Sequence, residues 1–577
     1  MGLFTPSESP AVIIKEIDLT GGVPNVQTTT AAYVGDFNWG PVEVPTIVNN
    51  ESTLVSIFAA PDKNNAVDFH TANSFLTYSN RMYVMRGVDS DAANAFDSDA
   101  ASAAPIIKNR DHFDNNYASL DSDGHTFVAK YAGELGNSIK IEMCPFDSAD
   151  TIFDAWAYSS EFDQAPSTSD FAASRGASND EVHVVVIDQD GEISGTPGEI
   201  LERFPFVSLA SNAKNADGST NYLIDVLNKR SSFVWAVGFD SNYTTANAGT
   251  PASSGKNYKL TTAATKSVSL VNGVNSGALG AAEYINGYNL IQDTETYEVD
   301  FLIAPPLPAS SDTADAIAES LITLAAVTRK DCVAVIAPPR DDVIDTINPV
   351  NDTVEFFNGL ASSSHYFPVN QHFKIFDKFN DEFIWIPASG ATAGVMALSD
   401  YNTAPWFSPA GTRRGVYYNV IDLAYNPSKA DRDTLYKANV NSIVNLPGQG
   451  ITLFGDKTGL RRPSAFDRIN VRRLFTVLER AIGRAARDVL FQLNDEFTRA
   501  EFVNIVEPTL RDVQGRRGIT DFRVVCDETN NTPDVIDRNE FVATIFIKPA
   551  RSINYVTLNF VATRTGVDFE EVVGRQF

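Results

Sequence analysis

Three consecutive segments near the middle of the chain constrain the fold most. Residues 299–303 and 332–336 are short apolar, β-prone runs, and between them residues 312–328 carry apolar side chains at helical spacing. A strand, a helix of that length and a second strand read as a βαβ crossover, whose two strands lie parallel. Runs at 31–34 and 82–86, around a helical stretch at 65–79, read as the start of the same kind of α/β unit. The unit is therefore discontinuous, with a long insertion between its two parts.

At roughly 150 residues per domain, 577 residues suggest about three or four structural units. A hydrophobic share of 43% is enough for packed cores. The formal net charge of −28 excludes attraction to nucleic acid or to an anionic membrane through the global field. Three cysteines, Cys144, Cys332 and Cys526, are too few and too far apart for a disulfide scaffold or a zinc knuckle, and fit a reducing compartment. The start, Met1 to Pro6, has neither a basic nor an apolar targeting region, and Pro6 stands where a myristoylation motif needs Ser or Thr. No run approaches the roughly 18 apolar residues of a membrane span, so no direct membrane insertion is expected. The class is a large, acidic, multidomain protein made in cytoplasm.

Along the chain, residues 1–24 read as an arm: a β-prone run at 12–17 (Val12, Ile13, Ile14, Ile17) ends at Gly21-Gly22. Residues 25–90 are the first part of the middle α/β domain. Residues 89–124, rich in Asp, Ala and Ser, read as a linker or solvated loop opening an insertion over 91–295. Within it, 126–131, 138–142 and 181–188 are strand-like, and Asp190-Gly191 turns the last of these back onto Glu192-Ile193. The stretch 240–282, polar and aperiodic, reads as exposed loops. Residues 296–460 resume the α/β pattern and are strand-rich from about 364 to 455. The strongest helix follows Pro463, with Ser464 as N-cap and Asp467 three residues on. It runs to about 493 with Val471, Leu474, Leu478, Ile482, Ala485 and Val489 on one face. A second helix at 498–514 is interrupted or restarted at Pro508. Strands at 540–548 and 552–564 form a hairpin-like pair, and a last run at 567–572 (Val567, Phe569, Val572) follows Gly566.

Catalytic motifs are missing. Gly249–Lys256 has the wrong spacing for a phosphate loop, and no Gly-x-Ser-x-Gly elbow is present. None of the six histidines forms a His-x-x-x-His pair. The fragments around Asp121 and Asp188 resemble calcium loops without the closing Glu and read as turns. His183 reads as a satisfied strand residue and Cys332 as a buried structural one. No catalytic, cofactor or metal residue is assigned, which disfavours an α/β hydrolase, the alternative from another functional class.

Two features remain. Between 457 and 517, thirteen basic residues face eight acidic ones, a local excess of five in an acidic chain. Arg473, Arg480, Arg484 and Arg487 share one helical stripe. The stripe reads either as a solvated face with intrahelical pairs such as Arg484/Asp488, or as a basic surface docked on an acidic protein partner. Secondly, the two-stranded tail is marginal by itself. The segments 12–17 and 567–572 can complete it either within one chain or by strand addition between neighbouring copies.

The chain resembles the sheath proteins of contractile bacteriophage tails. The resemblance is carried in order by Ser9-Pro10-Ala11-Val12 with Glu16-Ile17-Asp18, by Ala129-Lys130-Tyr131-Ala132-Gly133-Glu134-Leu135-Gly136-Asn137-Ser138-Ile139, and by Val186-Ile187-Asp188-Gln189-Asp190-Gly191. It continues through Arg329-Lys330-Asp331-Cys332, Tyr401-Asn402-Thr403-Ala404-Pro405-Trp406-Phe407-Ser408-Pro409-Ala410-Gly411 and Val506-Glu507-Pro508-Thr509-Leu510-Arg511-Asp512. It implies an α/β and β multidomain protein with a discontinuous subtilisin-like α/β core and a β-rich outer domain at 91–295. An α+β inner domain at 461–565, formed by the chain ends, faces the tube and accepts strands from arms at 1–24 and 566–577. It also implies a homo-oligomer of many helically arranged copies around a tail tube protein, with baseplate and tail terminator proteins as further partners and no nucleic acid. Such a sheath assembles in the host cytoplasm, resides in the virion tail and contracts to drive the tube through the cell envelope during genome delivery. A phage-derived secretion or bacteriocin particle is the alternative assembly. Tube-facing candidates are Arg499, Arg511, Arg516 and Arg517; strand-exchange candidates are Val12, Ile13, Ile14, Ile17, Val567, Phe569 and Val572.

Overall fold

The computed structural model describes residues 29–97, 106–122, 125–239, 247–260, 264–309 and 311–553. The chain forms two compact units, one spanning 23–488 and the other built from the chain ends, of which 489–553 are described.

In the larger unit a six-stranded sheet runs in the order Tyr366–Pro368, Val333–Ile336, Phe301–Ile303, Ala31–Gly35, Met82–Arg86, Thr46–Val48. The first five are mutually parallel and the last is antiparallel. The expected crossover is present: Phe301 pairs with Val333, and the connecting helix Ser311–Thr323 ends in a π-helical stretch, Leu324–Arg329. The central strands are buried on both faces because side chains alternate between two layers. Tyr33, Phe301 and Val333 pack with Phe69, Phe75 and Val395 on one side. Val34, Leu302 and Ala334 pack with Tyr288, Leu321 and Phe357 on the other.

The stretch expected to be strand-rich holds two hairpins, His372–Asp377 with Glu382–Pro387 and Ile443–Leu446 with Gly450–Leu453. It also contains an unexpected helix, Ser389–Asn402, buried over most of its length. A helix buried all round shows no amphipathic period, which hides it from pattern reading. It approaches the helix Ala66–Leu76 closely: a Cβ on Gly390 would lie 2.2 Å from the Thr71 carbonyl oxygen.

A seven-stranded antiparallel sheet has the order Glu199–Ser208, Glu181–Asp188, Ile139–Pro145, Lys266–Val271, Asn94–Asp97, Phe127–Ala132, Val234–Ala236. The strands read at 126–131, 138–142 and 181–188 are there, but three expectations are corrected. The acidic stretch 89–124 contributes the strand Asn94–Asp97 and the helix Arg110–Ser122. Its Asp97 is buried and accepts the amides of Thr126 and Phe127. Lys266–Val271, read as loop, is an interior strand whose Val268 and Leu270 enter the core while Ser267 and Ser269 alternate outward. The partner of Glu181–Asp188 starts at Glu199, not at Glu192. The reason is Asp188, whose carboxylate gathers the amides of Gly191, Ile193 and Ser194 and the hydroxyls of Ser138 and Ser194, which organises a longer turn.

In the smaller unit the helix Glu496–Gly515 passes Pro508 without a break, capped by Asp495 accepting from Thr498 N. Proline deletes one backbone donor, yet Phe502, Val506, Leu510 and Val513 keep a buried stripe on both sides of it. Thr544–Pro549 pairs antiparallel with Ile519–Val525, and the expected pairing of 540–548 with 552–564 falls largely outside the described residues. Ser552 and Ile553 belong to no strand, and 554–564 lie outside the described residues. Ile519–Val525 escaped pattern reading because Asp521 and Arg523 interrupt its apolar character. Asp521 pairs at 2.8 Å with Lys548 across the ladder.

At the carboxyl ends of the central strands, Tyr33 Oη donates to Asp68 Oδ1 at 2.8 Å, and buried Arg86 donates to the carbonyls of Gly40 and Ala132. Burial, then the neighbouring Asp68, pushes the Asp36 carboxyl up to about 8. Burial, opposed by the Tyr33 hydrogen bond, pushes Asp68 up to about 7. Both stay protonated in the fold where the unfolded chain has already lost the proton, so their contribution to stability falls as pH rises from about 4 and levels off above about 8. Asp36→Asn is expected to raise the urea midpoint increasingly between about pH 4 and pH 8, with no gain at the acid end. A pH-independent gain would disprove the neutral carboxyl.

Candidate functional site

The strongest helix of the sequence spans Ile469–Arg487. It starts four residues later than expected. Ser464 instead accepts from Phe466 N at 3.3 Å and opens the 3₁₀ turn Ala465–Asp467, and Arg468 is the N-cap of the helix proper. Val471, Leu474, Leu478, Ala481 and Ala485 form the buried stripe.

The arginine stripe fits neither expectation. Only its outer end is solvated, and the acids it pairs with lie elsewhere in the same chain, not within the helix. Arg473 grips buried Asp400 with both guanidinium nitrogens and lies over the Phe301 ring at 4.7 Å. Arg480 Nη1 donates to Asp300 Oδ1 at 2.7 Å, and Nη2 to the carbonyls of Val299 and Asp331 at 3.0 and 2.8 Å. Burial pulls the Arg480 guanidinium down, and Asp300 followed by Asp331 more than reverses this. Arg484 pairs with Glu298, and Arg487 with Glu295 at 3.2 Å. Side-chain exposure of the four arginines rises along the helix, 5%, 9%, 26% and 62%.

This gradient separates strong from weak pairs. Removing one partner of a buried pair strands the other charge, whereas an exposed pair is screened by water. Asp400→Ala is expected to destabilise the larger unit by about 3–5 kcal/mol. Glu295→Gln should cost less than about 1 kcal/mol. Urea denaturation of the two variants checks the contrast, and equal effects would contradict it.

The remaining candidates lie in the smaller unit. Arg499 is buried and donates to Asn494 Oδ1 at 2.9 Å, so its charge is engaged inside the unit. Arg511 and Arg516 are exposed and pair one turn back along their helix, with Glu507 at 3.1 Å and Asp512 at 3.7 Å. Arg517 is exposed, in the left-handed region at φ 65°, just past the helix end. Val12, Ile13, Ile14, Ile17, Val567, Phe569 and Val572 lie outside the described residues. Among the described residues, Ile519–Val525 and Thr544–Pro549 pair only with each other. Phe546 on the second of these strands is 59% exposed.

The side chains that carry chemistry elsewhere are structural. His183 is buried, stacked on Phe162 and bound to the Gln164 carbonyl and the Phe206 amide. Burial pushes the Cys332 thiol up to about 12. Among the described residues no His, Cys, Asp and Glu cluster is placed to hold a metal, and no helix is long and apolar enough to cross a membrane.

Comparison with known proteins matches this geometry to a family. Residues 277–459 match the phage tail sheath protein central domain and residues 461–563 the phage tail sheath C-terminal domain. The two matches meet just before the 3₁₀ turn that introduces the arginine helix. The tail sheath protein of Enterobacteria phage T4 is 32% identical, over 98% of this chain and 99% of its own length. That of Vibrio phage KVP40 is 31% identical over the same shares. The crystal structure of a sheath tail protein from Desulfitobacterium hafniense, 13% identical, covers 94% of this chain and all of its own with a TM-score of 0.52, a shared fold. The chain belongs to the phage tail sheath protein family, and it is a structural subunit of a tail sheath, not an enzyme.

Proposed function

We propose that many copies of this chain stack helically around a tail tube between a baseplate and a tail terminator, first in an extended state and then in a contracted one. The observation that carries this is similarity to tail sheath proteins over 98% of the chain. Contraction releases the free-energy difference between two lattices and drives the tube through the host envelope, with no nucleotide consumed. Assembly takes place in the host cytoplasm and the product is part of the virion.

The six-stranded sheet with its two helical layers is taken as the subtilisin-like core, split between 25–90 and 296–460. Residues 91–295 form the outer domain, 461–565 the inner domain, and 1–24 and 566–577 the exchanged arms. That the sheet of the smaller unit has two strands among the described residues supports the last assignment: two strands alone are marginal, and added strands complete a stable sheet. Backbone ladders of this kind hold neighbours together while the bodies they join rotate. Negative-stain microscopy of the purified chain tests the assembly directly, with cylinders as the expected result.

Removing residues 1–20, or ending the chain at Thr565, should leave a folded monomer that makes no long sheaths. Ile14→Pro should do the same by deleting a ladder donor. Hydrogen exchange over 10–18 and 566–573, before and after assembly, decides: protection already present in the monomer contradicts strand exchange. For the tube contact, exposed Arg511, Arg516 and Arg517 are the supported candidates, and buried Arg499 acts within its own unit. Reversing the three to Glu should weaken sheath–tube association roughly tenfold or more and reduce its salt dependence. Unchanged co-assembly across salt concentrations would rule that surface out.

A further inference from the structure

The arginine helix is fastened unevenly, and the unevenness has a direction. Its acidic counterparts Glu295, Glu298 and Asp300 occur in one short segment, in reverse order to Arg487, Arg484 and Arg480. The pairs therefore form a zipper. Its deep end is fixed, since Asp300 immediately precedes the central strand Phe301–Ile303, and Arg480 also holds two backbone carbonyls. Its outer end is in solvent: side-chain exposure is 26% and 45% for Arg484 and Glu298, and 62% and 74% for Arg487 and Glu295.

The two sides of the outer end differ in how else they are held. The acidic side has an independent anchor, because Arg329 donates to the carbonyls of Ile291 and Tyr297 and to Asp331. On the helical side, the last turns contain Gly483, around which a Cβ would meet nothing within 4 Å, and Ala485 is the one buried side chain after Ala481. Glycine weakens a helix interior, and few apolar contacts replace what it loses. Immediately beyond, at Val489, the chain passes into the smaller unit.

The geometry points to a salt-sensitive latch: Arg484 and Arg487 release Glu298 and Glu295 together, the helix frays from Gly483 onward, and Arg480 and Arg473 hold the rest. The point at which the chain is anchored before the smaller unit then moves back by about two turns. Its use during contraction rests on the sheath reading proposed above; the release itself is a property of one subunit.

Hydrogen exchange on the unassembled full chain tests the latch separately from assembly. Between roughly 50 mM and 500 mM salt, exchange over 483–488 should rise about fivefold or more while 470–480 stays unchanged. The double variant Glu295→Gln with Glu298→Gln should exchange fast over 483–488 at both salt concentrations. Gly483→Ala should slow it at both, because the helix gains propensity and the added methyl has open space. Salt-independent exchange over 483–488 in the parent chain, or loosening that spreads equally over 470–480, overturns the latch. Microscopy of the double Gln variant reports on sheath formation independently, so a failed assembly and a failed latch are told apart.

Discussion

The larger unit depends on one pairing, that of Ala31–Gly35 with Phe301–Ile303 in the middle of a parallel sheet. These strands are 270 residues apart, and a parallel sheet must be covered on both faces to be stable. The chain satisfies this by alternating side chains into two layers, with Phe69 and Phe75 on one side and Leu321 and Phe357 on the other. After Met82–Arg86, which joins the same sheet on the other side of Ala31–Gly35, the chain up to Phe301 has to fold as an excursion that returns to the sheet. The seven-stranded antiparallel sheet, with its own core around Phe127, Ile141, Val184 and Leu227, meets that requirement.

The arginine helix fastens the same sheet from outside its layers. Arg473 lies over Phe301 and Arg480 reaches the residues just ahead of Phe301 and Val333, so two charges seat the helix against the strands of the crossover. The local basic excess is thus largely spent on the chain's own acids. In a protein of net charge −28 this leaves little of that local excess unpaired. Among the described residues of the smaller unit, Arg511, Arg516 and Arg517 are exposed, and each of the first two is partly offset by an acid one turn away.

Local pattern was enough wherever burial is one-sided or the strands are apolar throughout. The crossover at 299–336, the strands at 82–86 and 181–188 and the helix over 469–487 all follow from periodicity that a single segment carries. Pattern failed where neighbours decide. Ser389–Asn402 is a helix because it fits between a sheet and another helix, and only small residues such as Gly390 allow that approach. Lys266–Val271 is an interior strand because two strands from elsewhere flank it. The helix containing Pro508 survives because its buried stripe spans the proline.

By itself the sequence determined the class of the protein: its discontinuous α/β organisation, the absence of catalytic motifs, and a family resemblance spread over nearly the whole chain. These depend on residue types and their spacing, which are local. Only the tertiary structure decided what each arginine does. Arg473, Arg480, Arg484 and Arg487 share a helical stripe whether they face water, a partner or the same chain, and spacing alone does not distinguish these cases. Their partners come from residues 73 to 192 positions away, brought there by the fold. Charge pairing at that separation is set by the packing of the sheet and not by any neighbouring residue.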